Sequence, residues 1–205
     1  MGYTHVAEAS SLDKTVKALQ TNSFLPEVIA NKADALARIQ ALIPAGKSVM
    51  NGSSRTLEEI GFTELLHNKQ HPWNNLHDAI LAETDPAKQN TLRQQAVLSD
   101  YYIGSVHALT ETGELLIASN TGSQLPHIVF TSPNIIFVVG TQKIVPTIAD
   151  AFARLEEHVV PLEDVNIRQK YGMGTTVSKV LLYKKESPVT NRPIHILLVQ
   201  EPLGF

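Results

Sequence analysis

Residues 100–146 read DYYIGSVHALTETGELLIASNTGSQLPHIVFTSPNIIFVVGTQKIVP, and this stretch decides the fold. Three apolar runs are separated by polar loops: Glu111-Thr112-Gly113-Glu114, then Asn120-Thr121-Gly122-Ser123-Gln124, then Gly140-Thr141-Gln142-Lys143. Residues 135–139 (IIFVV) are short, β-branched and bounded by Pro133-Asn134 and Gly140, the pattern of a strand covered on both faces. Residues 101–109 and 115–119 are strand candidates, and the Thr-Gly pair between them suits a tight turn. Residues 125–130 read as a helical turn starting at Pro126.

Working outward, residues 10–22 suit a first helix with Val16 and Leu19 as its apolar contacts. From Pro26 to Ile43 the residues Val28, Ile29, Ala33, Leu36, Ile39 and Ile43 recur at helical spacing, with Pro44 and Gly46 as the stop. Residues 47–50 form a short strand candidate that runs into Asn51-Gly52-Ser53-Ser54. The next helix has Thr56 and Glu59 at capping-box spacing and Leu57, Ile60, Leu65 and Leu66 on its apolar side, with a break expected at Gly61. Residues 67–98 read as a helical insertion, with Asp85 as N-cap and Pro86 at the first helical position. Downstream, residues 145–159 predict an amphipathic helix facing inward through Ile148, Ala149, Phe152, Leu155 and Val159. A short helix over 161–171, a polar loop at 172–176, strands at 180–183 and 194–199, and an apolar tail at 201–205 complete the chain.

Strands alternating with helices imply a layered α/β domain with a largely parallel central sheet. The 205 residues suit one domain over 1–205, in which 1–25 is an N-terminal extension and 67–98 an insertion. In such sheets ligands sit beyond the carboxyl ends of strands. The three loops that follow strands, at 51–54, 120–124 and 140–143, are therefore expected on one rim.

Composition narrows the chemistry. There is no cysteine, so disulfides, thiolate nucleophiles and Cys-ligated iron–sulfur clusters are excluded, and no intrinsic cofactor is expected. The net charge of −3 with scattered basic residues argues against nucleic acid as a partner. No apolar run has the length of a membrane span, and the first ten residues lack a secretory pattern, so a cytoplasmic location without membrane contact is expected. His67, His71 and His77 raise a metal reading, but Pro72 ends the helix and no HExxH is present, so no metal is expected. His107 and His127 read as hydrogen-bonded structural residues, His127 being the better placed of the two for a site.

The candidate ligand-binding residues are polar and sit in loops. Asn51, Gly52, Ser53, Ser54 and Arg55 lie between a strand and a helix start, where free N–H groups suit an anion and Arg55 adds a charge. Thr121, Gly122, Ser123 and Gln124 offer neutral donors, as do Thr112 and Gly113 beside them in sequence. Gly140, Thr141, Gln142 and Lys143 offer two polar groups and a cation, with Lys143 expected in solvent unless the ligand is anionic. Glu111 is the candidate catalytic carboxylate, as general base or nucleophile at a tight turn.

Several strings carry a family resemblance. Residues 104–130 (GSVHALTETGELLIASNTGSQLPHIVF) and the string IIFVVGTQKIVP resemble the LUD domain family, the lactate-utilisation proteins, and more closely a compact stand-alone branch carrying VVGTQKIV. NGSSRTLEEIGF, PLEDVNIRQKYG and IHILLVQEPLGF extend the resemblance from residue 51 to residue 205. The resemblance implies an α/β fold of the NagB/RpiA/CoA-transferase-like class and a link to L-lactate or related organic-acid utilisation, with a small anionic metabolite as ligand. It also implies alternatives: an acyl-CoA-transferase-like or sugar-phosphate-isomerase-like enzyme using Glu111, with CoA or a phosphate compound bound, or a non-catalytic subunit or assembly factor working with an iron–sulfur partner protein. A homodimer is compatible with each. Assigning Glu111 the acyl-accepting role of the glutamate in CoA transferases is an analogy between folds. The chain departs from the commoner family pattern at residues 174–183 (GTTVSKVLLY), where many members lead into Asp-Ile-Glu and this chain has no carboxylate.

Overall fold

A computed structural model describes residues 2–205. Its centre is a six-stranded parallel sheet of β1 (Leu25–Ile29), β2 (Ser48–Asn51), β3 (Asn74–Asn75), β4 (Tyr101–Gly104), β7 (Asn134–Gly140) and β10 (Ile194–Val199), ordered β1-β10-β7-β4-β2-β3. A second, mixed sheet contains β5 (Ala108–Thr110), β6 (Leu115–Ser119), β8 (Ile144–Val145) and β9 (Lys179–Tyr183), in the order β8-β5-β6-β9.

The IIFVV run shows why the central strands lack polar alternation. Ile135, Phe137 and Val139 enter one core while Ile136 and Val138 enter another, so both faces of β7 are sealed. β10 repeats the arrangement with Ile194, Ile196 and Leu198 on one side and Leu197 and Val199 on the other. One face packs on α2 (Lys32–Leu42), α3 (Arg55–Glu59) and α4 (Phe62–His67), through Ala35, Ile39, Leu57, Phe62 and Leu66. The other is covered by α1 (Ala9–Thr21), through Leu12 and Leu19, and by Leu109, Leu115 and Ile117 of the second sheet. That second sheet turns Ala108, Leu116 and Ala118 outward against Ala151, Leu155 and Val159 of a long helix. Residues 67–98 supply α5 (Leu76–Ala82), α6 (Pro86–Gln95) and the two-residue edge strand β3.

Four elements differ from the sequence expectation. Residues 25–29 are a strand, and the helix placed from Pro26 starts only at Lys32, where Asn31 accepts from the Asp34 amide as N-cap. Pro26 is tolerated because β1 is an edge strand. The single strand placed over 101–109 is two, because the chain leaves the central sheet after Gly104 and enters the second sheet at Ala108. The two helices placed at 145–159 and 161–171 are continuous: α7 (Ile148–Arg154) and α8 (Val160–Tyr171) are joined by a π-type turn over Leu155–Val159. Pro161 lacks an amide hydrogen, and widening the helix before it accommodates the missing bond. Lastly, Phe152 is half-exposed, whereas Arg154 of the same helix is fully buried.

Candidate functional site

A cavity of about 430 Å³ opens beyond the carboxyl ends of β2 and β4. The parallel sheet contributes residues 52–56 after β2, Tyr102 and Gly104 from β4, and Lys143 after β7. The second sheet contributes Ala118 and Ser119 of β6 and the loop residues Asn120, Thr121, Ser123 and Gln124. Leu155, Val159, Glu163, Asn166 and Ile167 of the long helix form the facing wall, with Thr175, Thr176, Val177 and Phe205.

Lys143 is the focus of the cavity's electrostatics. The turn Thr141–Lys143 tucks its side chain inward, leaving it 3% exposed rather than in solvent. Its Nζ donates to Thr56 Oγ1 at 2.9 Å, Ser105 Oγ at 3.1 Å and the Val106 carbonyl at 3.2 Å. Among the described residues no carboxylate comes within ion-pairing distance of it. Burial, reinforced by the positive charge of Arg154 and only partly opposed by Glu59, brings its pKa down to about 7. Glu59 is itself occupied, accepting from Arg55 Nε and from the Gly204 amide.

The surrounding residues are fixed by backbone geometry. A Cβ on Gly52 would lie 2.7 Å from the Tyr102 hydroxyl, so only glycine lets the loop after β2 approach β4 this closely. Tyr102 donates to Gln124 Oε1 and stacks on His127, and burial raises its pKa. His107 is pushed down to about 3 by burial and by the charges of Lys143 and Arg154, so it is neutral near pH 7. Its Nδ1 accepts from the Ala118 amide, which places the ring proton on Nε2. The tail docks beneath: the Leu203 carbonyl accepts from Thr56 Oγ1 and from Gln142 Nε2.

The structure brings together Gly52, Ser53, Ser54, Arg55, Thr121, Ser123, Gln124 and Lys143 at this cavity. Asn51, Gly122, Gly140, Thr141 and Gln142 stand behind it. Asn51 receives His77 Nε2 on its carbonyl, Gly122 takes a positive φ in its loop, and Gly140 packs against the tail. Arg55 lies on the rim with its charge shared between Glu58 and Glu59.

Glu111, Thr112 and Gly113 lie elsewhere. The loops before and after β6 leave opposite ends of a five-residue strand, about 17 Å apart. Glu111 accordingly faces α1, accepting from Ser11 Oγ at 2.7 Å and Lys14 Nζ at 2.8 Å, and these bonds hold its pKa below the usual carboxylate range. Gly113 makes its turn at a φ of 87° against the C-terminal end of α1, with Asn22 bonded to the Thr112 carbonyl. Glu111→Gln is expected to leave ligand binding at the cavity unchanged and to cost at most about 1 kcal/mol of stability, the scale of a part-exposed ion pair; titration calorimetry and a urea melt check both.

Sequence reading did not single out Tyr102, Gly104, Ser105 or the helix wall as site residues. The polar loop at 172–176 carried a signal through Thr175 and Thr176, but Ser105 and Thr56 carried none as ligands of a lysine.

A model of the LUD domain matches residues 12–179, most of the chain. This chain belongs to the LUD domain family. Among solved structures, the LUD chain is similar to a DUF162 family protein from Deinococcus radiodurans, with a TM-score of 0.57 and 11% identity over 95% of this chain and 99% of the other. At that identity the likeness bears on the fold alone, and it agrees with the layered α/β architecture. No curated protein matches the chain.

Proposed function

We propose that this LUD protein binds a small anionic metabolite in the cavity between its two sheets, in support of L-lactate or related organic-acid utilisation. One observation carries the reading: Lys143 is a buried amine at a cavity wall with no anionic partner among the described residues. An uncompensated buried ammonium is costly, and a ligand carboxylate or phosphate supplies the missing charge. Arg154, buried nearby, adds positive potential. The neutral hydroxyls and amides of Ser53, Ser54, Thr121 and Gln124 suit orientation of the ligand more than attraction. The family's name supports the organic-acid context.

Binding an anion favours the charged form of Lys143, so affinity is expected to be highest below about pH 7 and to fall above it. Calorimetric and thermal-shift titrations with oxalate, L-lactate and inorganic phosphate test this. A ligand at a hundred times its Kd stabilises by about 2.7 kcal/mol, and Lys143→Met is expected to abolish that response. A response unaltered in the variant sinks the reading.

A further inference from the structure

We infer that Lys143 is a carbonyl-reactive amine, and that the cavity takes a small aldehyde or ketone bearing an anionic group and joins it to Nζ as an imine. The inference rests on the anion-binding reading and adds a covalent step to it. Three features of the geometry point there. Lys143 lines the cavity although it is only 3% exposed, so a ligand held there lies against a side chain that bulk water scarcely touches. The hydroxyls of Thr56 and Ser105 stand at 2.9 and 3.1 Å, within reach to pass protons between nitrogen and a departing oxygen. Among the described residues no carboxylate pins the amine as a permanent ammonium; the charged or titratable groups facing it there are Arg154, neutral His107 and the already engaged Glu59. Its pKa of about 7 leaves a substantial neutral fraction at neutral pH, where an exposed lysine has almost none.

The step balances without an oxidant or reductant. The Nζ lone pair forms the N–C bond as the carbonyl π pair moves to oxygen. Of the three protons on the starting ammonium, two leave with that oxygen as water and one stays on the iminium nitrogen. The iminium keeps the positive charge, so the cavity still favours a negative group on the ligand. It also withdraws electrons from the adjacent carbon, the usual service of a lysine imine.

The test uses the full chain at pH 7 with glyoxylate and cyanoborohydride, followed by peptide mapping, and in parallel a thermal-shift titration with oxalate, an anion without a reactive carbonyl. The expected result is an adduct on Lys143 with the mass of glyoxylic acid less one oxygen atom, forming about tenfold or more faster than on any other lysine. Its rate should rise between pH 6 and 8. Lys143→Arg is expected to lose the adduct; should that variant not fold, the peptide map of the unaltered protein decides alone, and the oxalate titration is read on the unaltered protein. Oxalate stabilisation without a Lys143 adduct, or labelling no faster there than elsewhere, overturns the imine and leaves anion binding standing. Absence of both overturns both.

Discussion

Lys143→Met is expected to make the ligand-free protein more stable than the original at pH 6, with an advantage that shrinks as pH rises toward 10. The sign follows from a folded-state pKa of about 7 against an ordinary value of 10.5. Below about 7 both states hold the proton, and the folded state bears the whole cost of a buried ammonium. Between 7 and 10.5 the unfolded chain binds more protons than the folded one, so the original protein gains stability with rising pH. The full swing is on the order of 5 kcal/mol. Methionine has similar length and no charge to desolvate. It loses three hydrogen bonds, worth about 1 kcal/mol each, but the Thr56 hydroxyl still donates to the Leu203 carbonyl. At pH 10 the neutral amine donates at most two of those bonds, a change of about 1 kcal/mol, so the contrast between pH 6 and pH 10 reads chiefly the buried charge. Urea unfolding of both proteins at the two pH values measures it, and a pH-independent difference would show that Lys143 is not desolvated as described. A buried cation held at the expense of stability is the pattern of a functional residue.

Gly140→Ala is expected to lose about 3 kcal/mol and to open the cavity from beneath. The backbone at Gly140 is ordinary, with a φ of −63°, so conformational strain is not the cause. The cause is space: a Cβ there would lie 2.7 Å from the Leu203 amide nitrogen and 2.8 Å from the Glu201 carbonyl oxygen. These are backbone atoms and cannot swing aside as a side chain does. The tail must lift, and with it go the Leu203 carbonyl, which bonds Thr56 and Gln142, and the Gly204 amide, which holds Glu59. Water then reaches Lys143, and its pKa moves back up toward the ordinary lysine range. A lower Tm together with faster amide exchange at residues 199–204 checks the first part. An alanine variant with unchanged Tm and exchange contradicts it.

Much of the scaffold was legible because burial on two faces leaves its mark in composition. The strings IIFVV and IHILLV announce covered parallel strands, and Asn51–Gly52 announces the turn that follows one. Residues 26–29 were not legible as a strand. Val28 and Ile29 fit helical spacing with Ala33 and Leu36, and only pairing with β10, nearly the whole chain away, selects the extended form. The second sheet was hidden for a similar reason, since a three-residue strand such as Ala108–Thr110 gains its identity from its neighbours. In the site, the polar loops after β2 and β6 were visible as turn chemistry. The state of Lys143 was not, because residues 56, 105, 106 and 203 converge on its surroundings from distant parts of the chain. Nor does the spacing of Glu111 reveal that β6 carries it to the far end from the loop at 120–124.

The π-type turn at Leu155–Val159 has a consequence for how this chain tolerates changes of length. Each residue in a regular helix advances the azimuth by about 100°. The wide turn therefore sets the rotational phase of everything after it, while the wall residues Glu163, Asn166 and Ile167 all lie downstream. Removing one residue between 155 and 159 would leave a good helix with its side chains turned a quarter circle or more, presenting different groups to the cavity. The chemistry of that wall is thus written partly in a residue count, and removing one of residues 156–158 would alter ligand preference without deleting any lining residue.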